Sequence, residues 1–248
     1  MKTIYILWLR QLKRYFRSKS RIVGSLGQPI LFLLALGYGL GPVFQKAGQG
    51  NYIEFLAPGI IGMSIIFTAI FSGIEIIWDR QFGFLKETLV APVSRFNIML
   101  GRTLGGATVA TLQGIIVLFI SCLAGFRPYS WALIPAAILV MLLVALLFTA
   151  LGTLIASNLE DMQGFQLIMN FIVMPLFFLS GSLFPLTGLP SVIEVLARLD
   201  PLSYGIDAFR ALLANAAVFG LGLDIAVLSV VTLGFIALGG YFFSKIQI

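Results

Sequence analysis

Between two long apolar stretches the chain carries residues 78–95, WDRQFGFLKETLVAPVSR, where charges and prolines interrupt an otherwise oily sequence. Phe82, Leu85 and Leu89 recur there at i, i+3 and i+7, one face of a helix, flanked by Arg80, Lys86 and Glu87. The chemistry of that spacing is docking and not catalysis. An apolar stripe rimmed by charges has nothing to attack, but it must cover itself against another surface. Pro92 is expected to end this helix near Ala91, and Ser94 to cap the next one. Periodicity alone leaves two surfaces open: the membrane or the chain's own helix ends, and a groove on a soluble protein.

Reactive groups are scarce elsewhere. The chain has no His and a single Cys, Cys122, which excludes an imidazole or thiolate metal site and an intrachain disulfide. A Ser–His–Asp constellation cannot exist without His. No G-x-x-x-x-G-K-[ST] phosphate loop occurs; the run from Gly101 to Gly106 lacks the lysine and opens an apolar segment. The Leu179-Ser-Gly-Ser run lies inside another apolar segment and reads as helix packing or a local break. There is no intramembrane row of acids to carry protons and no arginine array to sense voltage. The chain therefore carries no evident energy source and is expected to bind no cofactor itself.

The elements that position the docking segment follow from hydropathy. Of 248 residues, 59% are hydrophobic and 10% charged, against roughly 25% charged in a soluble domain. Mean hydropathy is +1.03. About 20 apolar residues cross the ~30 Å hydrocarbon layer as a helix. Six stretches qualify, near 22–44, 57–77, 103–124, 131–157, 165–184 and 223–243. The expected fold is an all-α polytopic membrane protein, with residues 1–21 as an interfacial amphipathic helix and 22–248 as a six-span domain. Residues 185–202 carry Glu194, Arg198, Asp200 and three prolines, too polar for a seventh span.

The net charge of +6 is explained by topology and needs no nucleic-acid partner. Lys2, Arg10, Lys13, Arg14, Arg17, Lys19 and Arg21 precede the first span, and Arg80, Lys86, Arg95 and Arg102 lie between the second and third. With Lys245 that side holds twelve cations, against four (Lys46, Arg127, Arg198 and Arg210) on the other. The positive-inside rule puts both termini and the 78–102 loop in the cytoplasm of a cell-membrane protein. The basic N-terminal region is about 20 residues long and leads into a span-length run, unlike a secretory signal. Ile4, Tyr5, Trp8, Leu9, Leu12, Tyr15 and Phe16 share one helical arc, opposite Arg10, Lys13, Arg14 and Arg17, with Ile6 and Leu7 off the pattern. That helix is expected in the inner leaflet of the bilayer, as a topology anchor or as a strut beside a cytoplasmic partner.

Glu75 lies one turn from Trp78 and reads either as a carboxylate snorkelling to the interface or as a gate or transmission residue. Glu160 and Asp161 suit the start of a helix, as does Asp200-Pro201. Gly37-Tyr-Gly-Leu-Gly41 permits close helix approach.

A basic amphipathic N-terminus, six spans and a second cytoplasmic loop reading Asp79-Arg80-Gln-Phe-Gly-Phe-Leu-Lys86-Glu87-Thr-Leu-Val-Ala-Pro92-Val-Ser94-Arg95 resemble the ABC type-2 exporter permeases, in the drug-resistance, daunorubicin-exporter-like branch. The runs Asn158 to Pro185 and Asp200 to Arg210 fit the same pattern, so the resemblance covers essentially the whole chain. It implies a multidrug-type or lipid-type exporter half: two permease copies, usually a homodimer, above two separate ATPase subunits that hold ATP and Mg. It makes Arg80, Phe82, Phe84, Leu85, Lys86, Glu87 and Leu89 the coupling helix in the ATPase groove, and implies short extracellular helices before the last span. A pathway with so few ionisable groups suits amphipathic or lipid-like cargo. The alternative reading is a gradient-driven transporter or channel that works without an ATPase; a membrane scaffold with no transport role is a third.

Overall fold

A computed structural model describes residues 2–46, 50–90, 92–186 and 190–246, with the side chains of Arg21 and Lys86 outside the described set. The described residues form helices and connecting turns, with no strand. In chain order the helices are α1 (Lys2–Arg17), α2 (Lys19–Lys46), α3 (Tyr52–Phe71), α4 (Ile74–Gln81), α5 (Phe84–Val90), α6 (Arg95–Leu123), α7 (Ile134–Ser157), α8 (Met162–Leu179), α9 (Ser191–Leu199), α10 (Pro201–Ala214) and α11 (Leu221–Ser244). Six segments are long and apolar enough to cross a membrane: Ile22–Lys46, Tyr52–Gln81, Arg95–Leu123, Trp131–Ser157, Met162–Leu179 and Leu221–Ser244.

The spans fall where hydropathy puts them, and the fourth, 131–157, matches at both ends, but the second, third and fifth differ by several residues at theirs. Asn51 opens α3 by accepting from the Ile53 N–H at 3.0 Å, upstream of Pro58. The second span then continues through a kink at Ser72–Gly73 into α4. Ser94 caps α6 as its spacing predicts, with its hydroxyl accepting from Asn97 N–H at 3.2 Å. The helix therefore starts eight residues before the apolar run does. The fifth span stops at Leu179 because Ser180–Ser182 form a turn: both serine hydroxyls donate to the Phe177 carbonyl. The Leu-Ser-Gly-Ser run is thus a break.

α3, α6 and α7 form the centre, and α10 and α11 pack on α7. The second span, α3 with α4, is largely buried inside the bundle, whereas α2, α8 and α11 are mostly outward. The peripheral helices hold their bulk outward: Phe171 is 81% exposed and Phe178 half-exposed, while Phe177 turns into the core. Those outward faces are apolar surface of the kind a bilayer covers. Of the three glycines from 37 to 41, only Gly37 approaches a neighbour, the Ile53 side chain, within contact range.

α1 packs with only part of the arc that its sequence suggests: Ile4, Trp8 and Tyr15 from the arc, joined by Leu7 and Gln11. It packs lengthwise along α6 and in the same direction. Ile4 and Leu7 lie at Gly101, Trp8 and Gln11 at Gly105, the Trp8 indole N–H donates to Thr108 Oγ1 at 3.0 Å, and the Tyr15 hydroxyl to Gln113 Oε1 at 2.8 Å. A Cβ on Gly105 would sit 2.7 Å from the Gln11 side chain, so the close approach requires glycine there. Leu7, off the expected arc, is buried at the centre of this face, while Tyr5 and Phe16 are exposed. The helix has three sectors: Ile4, Leu7, Trp8, Gln11 and Tyr15 toward α6; Tyr5, Leu9, Leu12 and Phe16 apolar and largely outward; and Lys13, Arg17, Arg10 and Arg14 cationic around Ile6. A two-sided reading merges the first two, because both are apolar.

Candidate coupling site

The segment that the sequence marks for docking is held from above by α4. Glu75, Ile76, Ile77 and Asp79 are buried there, and Trp78 faces outward. Phe82 and Gly83 break the helix. Gly83 sits at φ +81, a left-handed conformation that glycine adopts without a Cβ clash, and α5 starts immediately after it. The expected single helix over this stretch is therefore two short ones.

That break changes which side chains are presented. Leu85 is 1% exposed and belongs to the core, and Leu89 is half-buried against it. Phe82 is 70% exposed and Phe84 52%. The i, i+3, i+7 stripe is thus split: its two leucines fasten α5 to the body of the protein, and the aromatic surface left outward is Phe82 with Phe84. Glu87 is exposed; the Lys86 side chain lies outside the described residues. Arg80 belongs to α4, and its guanidinium donates to Glu160 Oε1 at 2.9 Å, beside Gln81, whose amide donates to the Glu160 carbonyl. Glu160 therefore does not cap α8. Asp161 does, accepting from Gln163 and Gly164 N–H groups.

An ion network that charge counting missed fixes this end. Asp79 accepts from Arg102 Nη2 at 2.5 Å and from Arg10 Nη2 at 3.3 Å, so α4, α6 and α1 meet at one carboxylate. Asp79 and Arg102 are both buried. Glu75 is buried too, and faces Arg14 at 3.6 Å; the Arg14 guanidinium lies 5.5 Å over the Trp78 ring. Glu75 therefore does not reach open water but binds the N-terminal helix. Beyond α5, Arg95 donates to the carbonyls of Ser244 and Ile246 at 2.8 and 2.7 Å, tying the far side of the segment to the end of α11. Arg102 reads in sequence as one more loop cation. Its position seven residues inside a capped helix was the signal that it would be buried and need a partner.

The opposite end carries a second polar cluster. Arg210 donates to the Gly181 carbonyl at 2.5 Å and lies 4.1 Å over the Phe55 ring. Asp207 accepts from the N–H groups of Val218, Phe219 and Gly220, holding the turn before α11. Burial lowers the Arg210 guanidinium to about 10, partly offset by Asp207, so it stays charged at neutral pH. Asp200 caps α10 through Leu202 N–H at 2.8 Å with Pro201 next, the helix start its sequence predicts. Its other oxygen is buried without a partner. Burial pushes Asp200 up to about 8, and the Leu202 bond only partly opposes this. The folded state thus holds this proton while the unfolded chain releases it near pH 4. The contribution to stability is full below that value and lost as pH rises toward 8. Thermal unfolding in detergent is expected to show a midpoint that falls between pH 5 and pH 8. Asp200→Asn, which keeps the cap, should flatten that fall; an unchanged slope would assign it to other groups.

Among the described residues no cluster of metal-ligating side chains occurs. What the α4–α5 end offers is a small aromatic surface on a mount tied to α1 and α6 through Asp79 and to the core through Leu85. Residues 2–214 match the family model described as ABC-2 type transporter. The chain belongs to the ABC-2 type transporter family. Relatives of this permease agree over most of its length. It is 29% identical over 211 residues to Nodulation protein J of Rhizobium leguminosarum bv. trifolii, covering 84% of this chain and 78% of that one. It is 29% identical over 207 residues to the inner membrane transport permease YadH of Escherichia coli strain K12, covering 82% and 80%. A putative transport permease ycf38 of Porphyra purpurea is 29% identical over 219 residues, covering 87% and 75%. The chain is thus a multi-pass membrane protein of a transport permease family, as its six spans and its second loop lead one to expect.

Proposed function

We propose that this permease is the membrane half of an ATP-driven exporter, and that α4–α5 is where a separate ATPase subunit grips it. The observation that carries this reading is the exposed Phe82–Phe84 surface on a segment locked to α1 and α6 through Asp79. An aromatic surface left outward on a charged segment between two spans suits a partner, and one tied to the bundle can transmit a push. Both termini and α5 then lie in the cytoplasm of an inner-membrane protein, α9 and α10 lie outside, and two permease copies stand over two ATPases that hold ATP and Mg.

The cargo proposed is amphipathic or lipid-like. Among the described residues, the membrane-crossing helices bring few charges inward: Glu75, Asp79 and Arg102 are taken by neighbours, and Asp224 is buried at the start of the last span, a set too sparse to suit ions or sugars. The test is reconstitution with the ATPase that co-purifies with the chain. Efflux of a fluorescent amphiphile from vesicles is expected only with both subunits and ATP. Movement by the chain alone down a gradient would instead establish a gradient-driven carrier or channel.

A further inference from the structure

The cationic sector of α1 lines a groove of about 990 Å³ whose other wall is the coupling segment. Arg10, Lys13, Arg14, Arg17 and Lys19 line one side, and Trp78, Phe82 and Phe84 stand across from them. The acid lining it is Asp79, already bound to Arg102 and Arg10. Arg14 is engaged with Glu75, but Lys13, Arg17 and Lys19 are exposed and make no ion pair among the described residues. With Arg10 and Arg14 held by carboxylates, Lys13, Arg17 and Lys19 leave the groove with a positive potential. The groove is also amphipathic, since Ile6 and Leu9 share its lining. Moreover, the sector beside it on α1, with Tyr5 and Phe16 outward, is apolar surface suited to the hydrocarbon.

We infer that this groove is a binding site for the headgroup of an anionic phospholipid, whose phosphate lies among Lys13, Arg17 and Lys19 and whose upper acyl chains lie along Ile6 and Leu9. A soluble anion would meet the charges but leave the apolar lining open; a neutral lipid would do the reverse. An acidic protein segment fits the charges without using the hydrocarbon-facing flank. The site does not depend on the ATPase reading, and it places a lipid beside α1 and Trp78.

The test uses the full chain with Trp8→Phe and Trp131→Phe, leaving Trp78 as the one tryptophan, in phosphatidylcholine vesicles containing a minor fraction of acyl-brominated phosphatidylglycerol. Quenching of Trp78 is expected to saturate at low mole fraction, and brominated phosphatidylcholine should need a much higher fraction. Lys13→Gln should raise the half-saturating fraction about fivefold, the value of one near-surface cation. Lys13, Arg17 and Lys19 all to Gln should abolish the preference, with an unchanged thermal midpoint because these side chains hold no ion pair among the described residues. Lys2→Gln, at the start of α1 and outside the groove, should change nothing. Equal quenching by both lipids, or an equal loss from Lys2→Gln, would overturn the site in favour of diffuse attraction. Displacement by millimolar glycerol phosphate would overturn it in favour of a soluble anion. Retained lipid preference in the triple variant, with ATPase assembly in pure phosphatidylcholine lost, would overturn it in favour of an acidic protein segment.

Discussion

Asp79→Ala is expected to destabilise the permease by about 3–5 kcal/mol, because it strands the buried Arg102 guanidinium without its counter-charge. The side chains of the pair are 7% and 4% exposed, so water cannot replace the lost carboxylate. The loss is not confined to one contact, since α1, α4 and α6 meet at this group. Arg10→Ala removes only the outer member. Its side chain is 43% exposed, and its loss should cost no more than about 1 kcal/mol. Replacing Asp79 and Arg102 together by Leu and Met should restore much of the stability, since a well-packed apolar pair carries no desolvation penalty. Thermal unfolding of the purified chain in detergent, read as a double-mutant cycle, checks all three. An Asp79→Ala midpoint equal to that of Arg10→Ala would show that Arg102 finds another partner.

The double variant carrying Phe82→Asp and Phe84→Asp is expected to fold normally and to stop export. Both rings are largely outside the core, so their replacement leaves packing intact. An aromatic anchor at the centre of a protein interface typically contributes about 2 kcal/mol or more, so even one loss should weaken ATPase binding by roughly thirtyfold. Leu85→Asp and Leu89→Asp should behave differently. They place carboxylates in or beside the core and should lower stability before they touch coupling. Comparing the two pairs separates a docking surface from its mount: export lost at an unchanged melting temperature for the phenylalanines, export and melting temperature lost together for the leucines.

The span count was legible because hydropathy over twenty residues is a long-range average that a capping residue cannot disturb. The ends of the second, third and fifth spans were not. Asn51, Ser94 and the Ser180–Ser182 turn set them through single hydrogen bonds, which extend or cut a helix inside sequence that hydropathy treats as uniform. The 78–95 segment was legible as an anomaly and misread in detail. Periodicity assumes one continuous helix, and Gly83 divides it, so Phe82 no longer shares a face with Leu85 and Leu89. α1 was legible as an amphipathic helix but not in its faces, since periodicity marks apolar residues without saying which lean on protein and which on lipid. Leu7, off the arc, is buried; Phe16, on it, is exposed. The Asp79–Arg102–Arg10 junction joins residues up to 92 positions apart and is invisible to any local pattern, although a cation well inside a span announces that a partner must exist.

The central claim is that Phe82 and Phe84 face an ATPase. Cys122 is the chain's one cysteine, so Cys122→Ala gives a clean background for a single new thiol. Phe84→Cys in that background, treated with a short bismaleimide in membranes that contain the ATPase, is predicted to cross-link to it in high yield. Phe171→Cys, on the outward face of α8, is predicted to give no such product. An ATPase that co-purifies with the permease yet cross-links from position 171 and not from position 84 would contradict the account.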